Sequence, residues 1–132
     1  MTRHELREIV FKKVFQLPFN DGSLPEVDYE DSFEAEAEPT EEEKAYIDAK
    51  VSGITENLAA IDETIEKHSK SWKISRIGKT ELAILRVAVY EISFDVDVPD
   101  KVALNEAIEL AKQYGTDKAP AFINGVLSGL VI

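Results

Sequence analysis

Apolar residues recur along this chain at helical spacing. In the first segment Leu6, Ile9, Val10, Val14 and Leu17 are separated by three, one, four and three positions, the stripe of one helix face. The spacing predicts a helix from Arg3 to Phe19. Thr2 followed by Glu5 forms a capping box at its start, and Pro18 with the turn-forming Asn20-Asp21-Gly22 stops it. A second capping box, Thr40 and Glu43 directly after Pro39, opens the next periodic run. There Tyr46, Ile47, Val51, Ile54, Leu58, Ile61 and Ile65 predict one long amphipathic helix reaching about His68, with Gly53 inside it as a place for another helix to come close.

Trp72, Ile74 and Ile77 make a short connection to Gly78. The segment that follows, KTELAILRVAVYEISF, is apolar on most faces, as a central helix of a bundle must be, and is too long for a buried strand. Val96-Asp97-Val98-Pro99-Asp100 breaks the chain. VALNEAIELAKQYG then gives a helix that stops at Gly115, and Asp117 is placed to cap a last helix with Pro120 in its first turn. Strands alternating with helices are absent from this pattern. The fold class is all-α, a compact bundle of five to seven helices in a single domain over residues 1–132.

Composition narrows the function. The chain has no cysteine and only two histidines, His4 and His68, which excludes thiol chemistry, thiolate metal sites and a histidine-rich metal centre. Neither a membrane-spanning apolar run nor a basic-then-apolar leader is present, so the expected location is cytoplasmic. The net charge of −11 argues at first against a nucleic-acid partner. Residues 21–43, however, hold 11 acidic and no basic residues, while the rest of the chain carries 15 of each sign. The acidic segment reads as a solvated, partly mobile connection, and the body is neutral.

No pattern suits catalysis: there is no Gly-rich phosphate loop, nucleophile elbow or zinc helix. Asp95, Asp97 and Asp100 lack the Gly and Glu of a calcium loop and read as turn and cap residues. Basic residues are more telling. Lys67, Lys70, Lys73, Arg76, Lys79 and Arg86 fall within 67–86, with Glu81 as the one acid among them. Near the N-terminus Arg3 and Arg7 lie four apart, with His4 beside them; His4 and Glu8 are spaced for a weak surface pair. Lys118 precedes Phe122 by one helical turn, and a ring beside cations is what single-stranded RNA recognition uses. The blander reading, solvated basic faces with Phe122 in the core, competes with it on composition alone.

Three blocks carry a family resemblance: I-x-R-I-G-K-T-E-L-A-I-L-R-V-A-V-Y-E (Ile74–Glu91), V-P-D-K-V-A-L-N-E-A-I-E-L-A-K-Q-Y-G (Val98–Gly115) and A-F-I-N-G-V-L (Ala121–Leu127). Their order and spacing closely resemble the NusB family of bacterial transcription antitermination factors. Arg3, Arg7, Val14 and Phe15 are similar to the family's N-terminal pattern. The resemblance implies two packed three-helix bundles and a non-enzymatic factor without cofactor or metal. Such a factor binds single-stranded boxA RNA of ribosomal RNA leader transcripts together with NusE, a small-subunit ribosomal protein, and helps RNA polymerase resist termination. By position it places Arg3, His4, Arg7, Lys118 and Phe122 at the RNA, and Phe15 and Glu81 toward NusE. The chain departs from the family where His4, Glu5 and Glu8 interrupt the arginine-rich start and where Phe15 replaces the usual tyrosine. These departures imply weak RNA binding alone and reliance on NusE.

Two other classes fit parts of the sequence. An acidic helical adaptor would bind a basic ribosomal protein through its charge without touching RNA. NusB-like helical domains also occur joined to RNA cytosine methyltransferases, but no nucleotide-binding βαβ unit lies within this chain.

Overall fold

The computed structural model describes residues 1–17, 38–70 and 73–131. Pro18, the Asn20–Gly22 turn, most of the acidic segment and Trp72 lie outside these. Among the described residues the chain forms six α-helices and a single 3₁₀ turn, and no strand.

Helix α1 runs Arg3–Phe15, shorter than the expected end at Phe19. Both halves of its capping box form: Thr2 Oγ1 accepts from the Glu5 N–H at 3.1 Å, and Thr2 N–H donates to Glu5 Oε1 at 3.0 Å. Helix α2, Glu41–Glu56, starts with the same device on Thr40 and Glu43. Three glutamates from the acidic segment, Glu41, Glu42 and Glu43, thus sit in the first turn of a helix, where the macrodipole favours them.

The long helix expected to reach His68 is divided. After α2 the chain breaks at Asn57 and resumes as α3, Leu58–His68. The Asn57 side chain donates to the Gly53 carbonyl at 2.8 Å, and its backbone N–H is shared between Gly53 and Ile54 oxygens at 3.2 Å. A side chain that bonds its own preceding turn pulls the backbone off the helical path. The apolar stripe continues across the break, with Ile54, Ile61 and Ile65 all fully buried, so periodicity does not register it. Gly53 does permit close approach: a Cβ there would overlap the Tyr90 ring.

The 3₁₀ turn Ile74–Arg76 leads into α4, Lys79–Phe94, and every other helix packs against α4. Its all-round apolar sequence follows from this position. Helices α1, α2 and α4 pack mutually, as do α4, α5 (Asp100–Tyr114) and α6 (Ala119–Leu127), so the two bundles meet through α4; α3 lies against α4 and α6. Helix α5 stops at Gly115, where a Cβ would press on Ala119 and on the Ala111 carbonyl. The expected Asp117 cap is not used: Lys118 is the cap residue of α6, with no side-chain cap bond.

Two charged clusters are built into this core. Glu91, 1 % exposed, receives Arg7 Nε and Nη2 as a two-pronged pair at 2.9 Å each and Lys50 Nζ at 2.9 Å. Asp62 receives Arg86 through Nε at 2.9 Å and Nη2 at 2.8 Å. Among the described residues no helix is long and apolar enough to cross a membrane.

Candidate nucleic-acid interface

The N-terminal ends of α4 and α6 converge on an open groove of about 540 Å³, lined by Arg76, Gly78, Glu81, Thr116, Lys118, Ala119 and Phe122. Three separate segments build it. Arg76 comes from the 3₁₀ turn, Gly78 and Glu81 from the start of α4, and the rest from the α5–α6 junction. Lys118 and Phe122 are one turn apart, joined by the Phe122 N–H to Lys118 carbonyl bond at 3.2 Å, and so share a face. Phe122 is half-buried, packing against the core while also lining the groove. Arg76 and Lys118 are exposed. Neither Gly78 nor Lys118 caps its helix with a side chain. The backbone N–H groups at the start of α6 add positive potential to the two cations, while at the start of α4 the Glu81 carboxylate lies over the first turn.

The N-terminal candidates lie elsewhere. Antiparallel packing puts Arg7 beside Glu91 near the end of α4, and puts Val14 and Phe15 beside Leu82 and Ala83 near its start. Arg3 and Arg7 line a different cavity, of about 330 Å³, with Tyr46, Asp95, Asp97 and Glu106. The two sets of candidates therefore sit toward opposite ends of α4, a 16-residue helix roughly 24 Å long.

Arg3 and Arg7, although four apart in sequence, are placed in different surroundings. Arg7 is 5 % exposed and committed to Glu91, with Glu106 at 3.7 Å. Burial pulls its pKa down, but the bonds and charge of Glu91 and Glu106 outweigh that and hold it above the ordinary arginine value. Only Arg3 is exposed, its guanidinium 4.5 Å from the centre of the Tyr46 ring. His4 is not a free cation either. Nδ1 lies 2.7 Å from Glu106 and Nε2 2.9 Å from Glu8. The Glu106 bond, more than any other contact, raises its pKa. Glu8 also accepts from the Tyr114 hydroxyl at 2.9 Å; burial first, then Glu8, pushes that hydroxyl up to about 12.

Of the basic run 67–86, Arg86 is buried on Asp62 and Lys67 forms an exposed pair with Glu63 at 3.3 Å. Lys70, Lys73 and Lys79 are exposed, and Arg76 lines the groove. Phe15 sits in a small crevice with Val14, Leu17, Lys79 and Leu82, on a different side of α4 from the groove that Glu81 lines. Arg76 and Gly78 were visible as residues of a basic, glycine-containing stretch, but their role was not, because it depends on α6 arriving opposite them. In the Asp95–Asp100 corner, Asp95 Oδ1 accepts from the Asp97 N–H at 3.1 Å, a turn bond, and Asp95 Oδ2 meets Lys50 at 3.2 Å.

Comparison with known proteins adds an independent line. Residues 4–131 match the NusB family. The chain is 48 % identical to the transcription antitermination protein NusB of Agathobacter rectalis over 128 residues, covering 97 % of this chain and 98 % of that one. It is 48 % identical to the protein of the same name in Natranaerobius thermophilus, covering 96 % and 92 %. In structure it is similar to T. maritima NusB, with a TM-score of 0.80, 33 % identity and coverage of 98 % and 90 %. It is also similar to a chain from the crystal structure of a plectonemic RNA supercoil, with a TM-score of 0.78, 27 % identity and coverage of 98 % and 94 %.

Proposed function

The chain belongs to the NusB family, and from that premise we propose that it is a cytoplasmic, non-enzymatic transcription antitermination factor. It binds single-stranded boxA RNA of ribosomal RNA leader transcripts together with NusE, and the pair helps RNA polymerase resist termination. One observation carries the RNA reading: Arg76, Lys118 and the Phe122 ring line one groove at two helix N-termini. The cations and the α6 N-terminus meet phosphates while the ring stacks on a base. Arg3 contributes at a distance from this groove. Arg7 and His4 act through the structure of α1, since their charges are answered by Glu91, Glu106 and Glu8. Phe15 and Glu81, on two sides of the start of α4, face NusE, and the reliance on NusE follows from the commitment of Arg7 and His4 to carboxylates.

Titration of boxA RNA and a scrambled oligomer, with and without NusE, tests this. Weak boxA binding by the chain alone, tightened by NusE, is expected. With two or three phosphate contacts the log–log salt slope should be shallow, roughly −1.5 to −2. Phe122→Ala should remove a stack worth about 1–3 kcal/mol of binding. Normal RNA binding by a Phe122→Ala protein that unfolds more readily would assign the ring to the core alone. NusE binding without any response to RNA would favour the acidic adaptor.

A further inference from the structure

We propose that a basic surface beside the groove, formed by Lys67, Lys70 and Lys73, holds the phosphate backbone of RNA that flanks the element in the groove. This rests on the reading that the groove takes single-stranded RNA. Two segments make the surface. Glu66 Oε1, in the last turn of α3, accepts from the Ile74 N–H at 3.0 Å, which fixes the 3₁₀ turn against the end of α3. Lys67 and Lys70 are thereby placed near the turn that Lys73 precedes and that carries Arg76 to the groove. Helix α6, nine residues and roughly 14 Å long, connects the two regions. Its start brings Lys118 and Phe122 to the groove, and just past its end a Cβ on Gly129 would come within 3.0 Å of the His68 ring.

The charges of this surface are unanswered. Lys70 and Lys73 are exposed and form no ion pair among the described residues. Lys67 has only its exposed pair with Glu63, which contributes little. No acidic residue occurs between Lys67 and Glu81. In a chain of net charge −11, cations gathered without counter-charges repel one another until a polyanion arrives. Lys70 also holds a left-handed backbone, φ 53°, just past the end of α3, where glycine fits better. A lysine there adds charge against the preference of the backbone. A protein partner would call for an apolar centre. The exposed large apolar side chains among the described residues, Met1, Phe94, Val96 and Val102, all lie outside residues 67–79. Spaced ammonium groups without an apolar centre suit a phosphate backbone, which is bound through charge whatever its sequence.

The test uses the full chain and labelled RNA followed by fluorescence anisotropy across a salt series. One RNA is the boxA element alone; two others extend it by eight uridines at the 5′ or the 3′ end. An extended RNA should bind tighter at low salt, with a log–log slope steeper by about 2, from three further phosphates at ~0.7 each. Adenosines in place of the uridines should give the same gain. Lys67→Gln, Lys70→Gln and Lys73→Gln together should abolish the gain and leave affinity for the boxA element alone unchanged. Lys70→Gly, which relieves the backbone, should raise the melting temperature while reducing the gain, which separates charge from folding. Equal slopes for short and extended RNA, or a gain that survives the triple substitution, overturns the proposal. Binding of a polyglutamate peptide through these lysines, with no gain from either extension, overturns it in favour of an acidic protein partner. If the boxA element alone fails to bind while an extended RNA binds through the lysines, the reading of the groove falls and the basic surface stays assigned to RNA. Failure of all three RNAs overturns both.

Discussion

Glu91 is a single carboxylate facing two cations where almost no water reaches. Removing one member of such a cluster costs more than the cluster contributes, because the partners stay buried without an answering charge. Glu91→Ala should therefore destabilise the chain by about 3–5 kcal/mol, read as a lowered urea midpoint at unchanged slope. A loss below ~1 kcal/mol would mean that Arg7 and Lys50 turn to Glu106 and Asp95 instead. His4 makes a pH-dependent contribution. Its folded-state pKa is raised, chiefly by the Glu106 bond, above the ordinary value of 6.5. The stabilisation is fully present below 6.5 and is lost as pH climbs through the raised value. Melting curves should show stability falling across that window, and His4→Gln should flatten the fall; an unchanged pH profile would remove His4 as its source. These buried charges were open to sequence reasoning in one respect. Lys50 lies between Ile47 and Ile54 on the apolar stripe itself, and Arg7 precedes Phe11 by one turn. A charge on a buried stripe demands a buried counter-charge, but which helix supplies it depends on tertiary packing.

The helices themselves were the most legible level. Both capping boxes, the all-apolar α4 and the Gly115 stop are local devices, encoded within a few residues of where they act. The break at Asn57 was not legible, because a helix can bend between two turns of its stripe without moving any apolar residue off the core side. Gly53 shows the opposite case, in which a residue unfavourable in a helix is needed by a neighbour. Alanine would favour α2 by about 1 kcal/mol in isolation, yet its methyl group would meet the Tyr90 ring, which is stacked on Phe94 with ring centres 5.7 Å apart. Gly53→Ala should lower stability by about 1–3 kcal/mol net. Combined with Tyr90→Ala, the same substitution should become neutral or stabilising. Additive losses in the double variant, measured by chemical denaturation, would show that the ring is not what Gly53 accommodates.

Across the whole molecule, the groove was the least legible feature, because Arg76, Glu81 and Phe122 come from segments that only the completed bundle brings together. The proposed RNA residues at the N-terminus were legible as charges but not as commitments: Arg3 remains exposed while Arg7, four residues on, is internal. The ion clusters also divide the molecule by how it comes apart. Detaching α1 or α2 would leave Glu91 short of a partner in a dry site, and detaching α3 would take Asp62 from its two bonds with Arg86. Helix α6 has no ion pair among the described residues, spans nine residues and lacks a side-chain cap. Its amides should be the first to exchange with deuterium under native conditions, while α1, α2 and the second half of α4 exchange late and together. Bound RNA should slow α6 more than any other helix, and uniform slowing would argue against contact there. The same buried charges that keep Arg7 from meeting a phosphate thus tie the other helices to one another, while the helix that carries Phe122 to the groove is held by apolar packing.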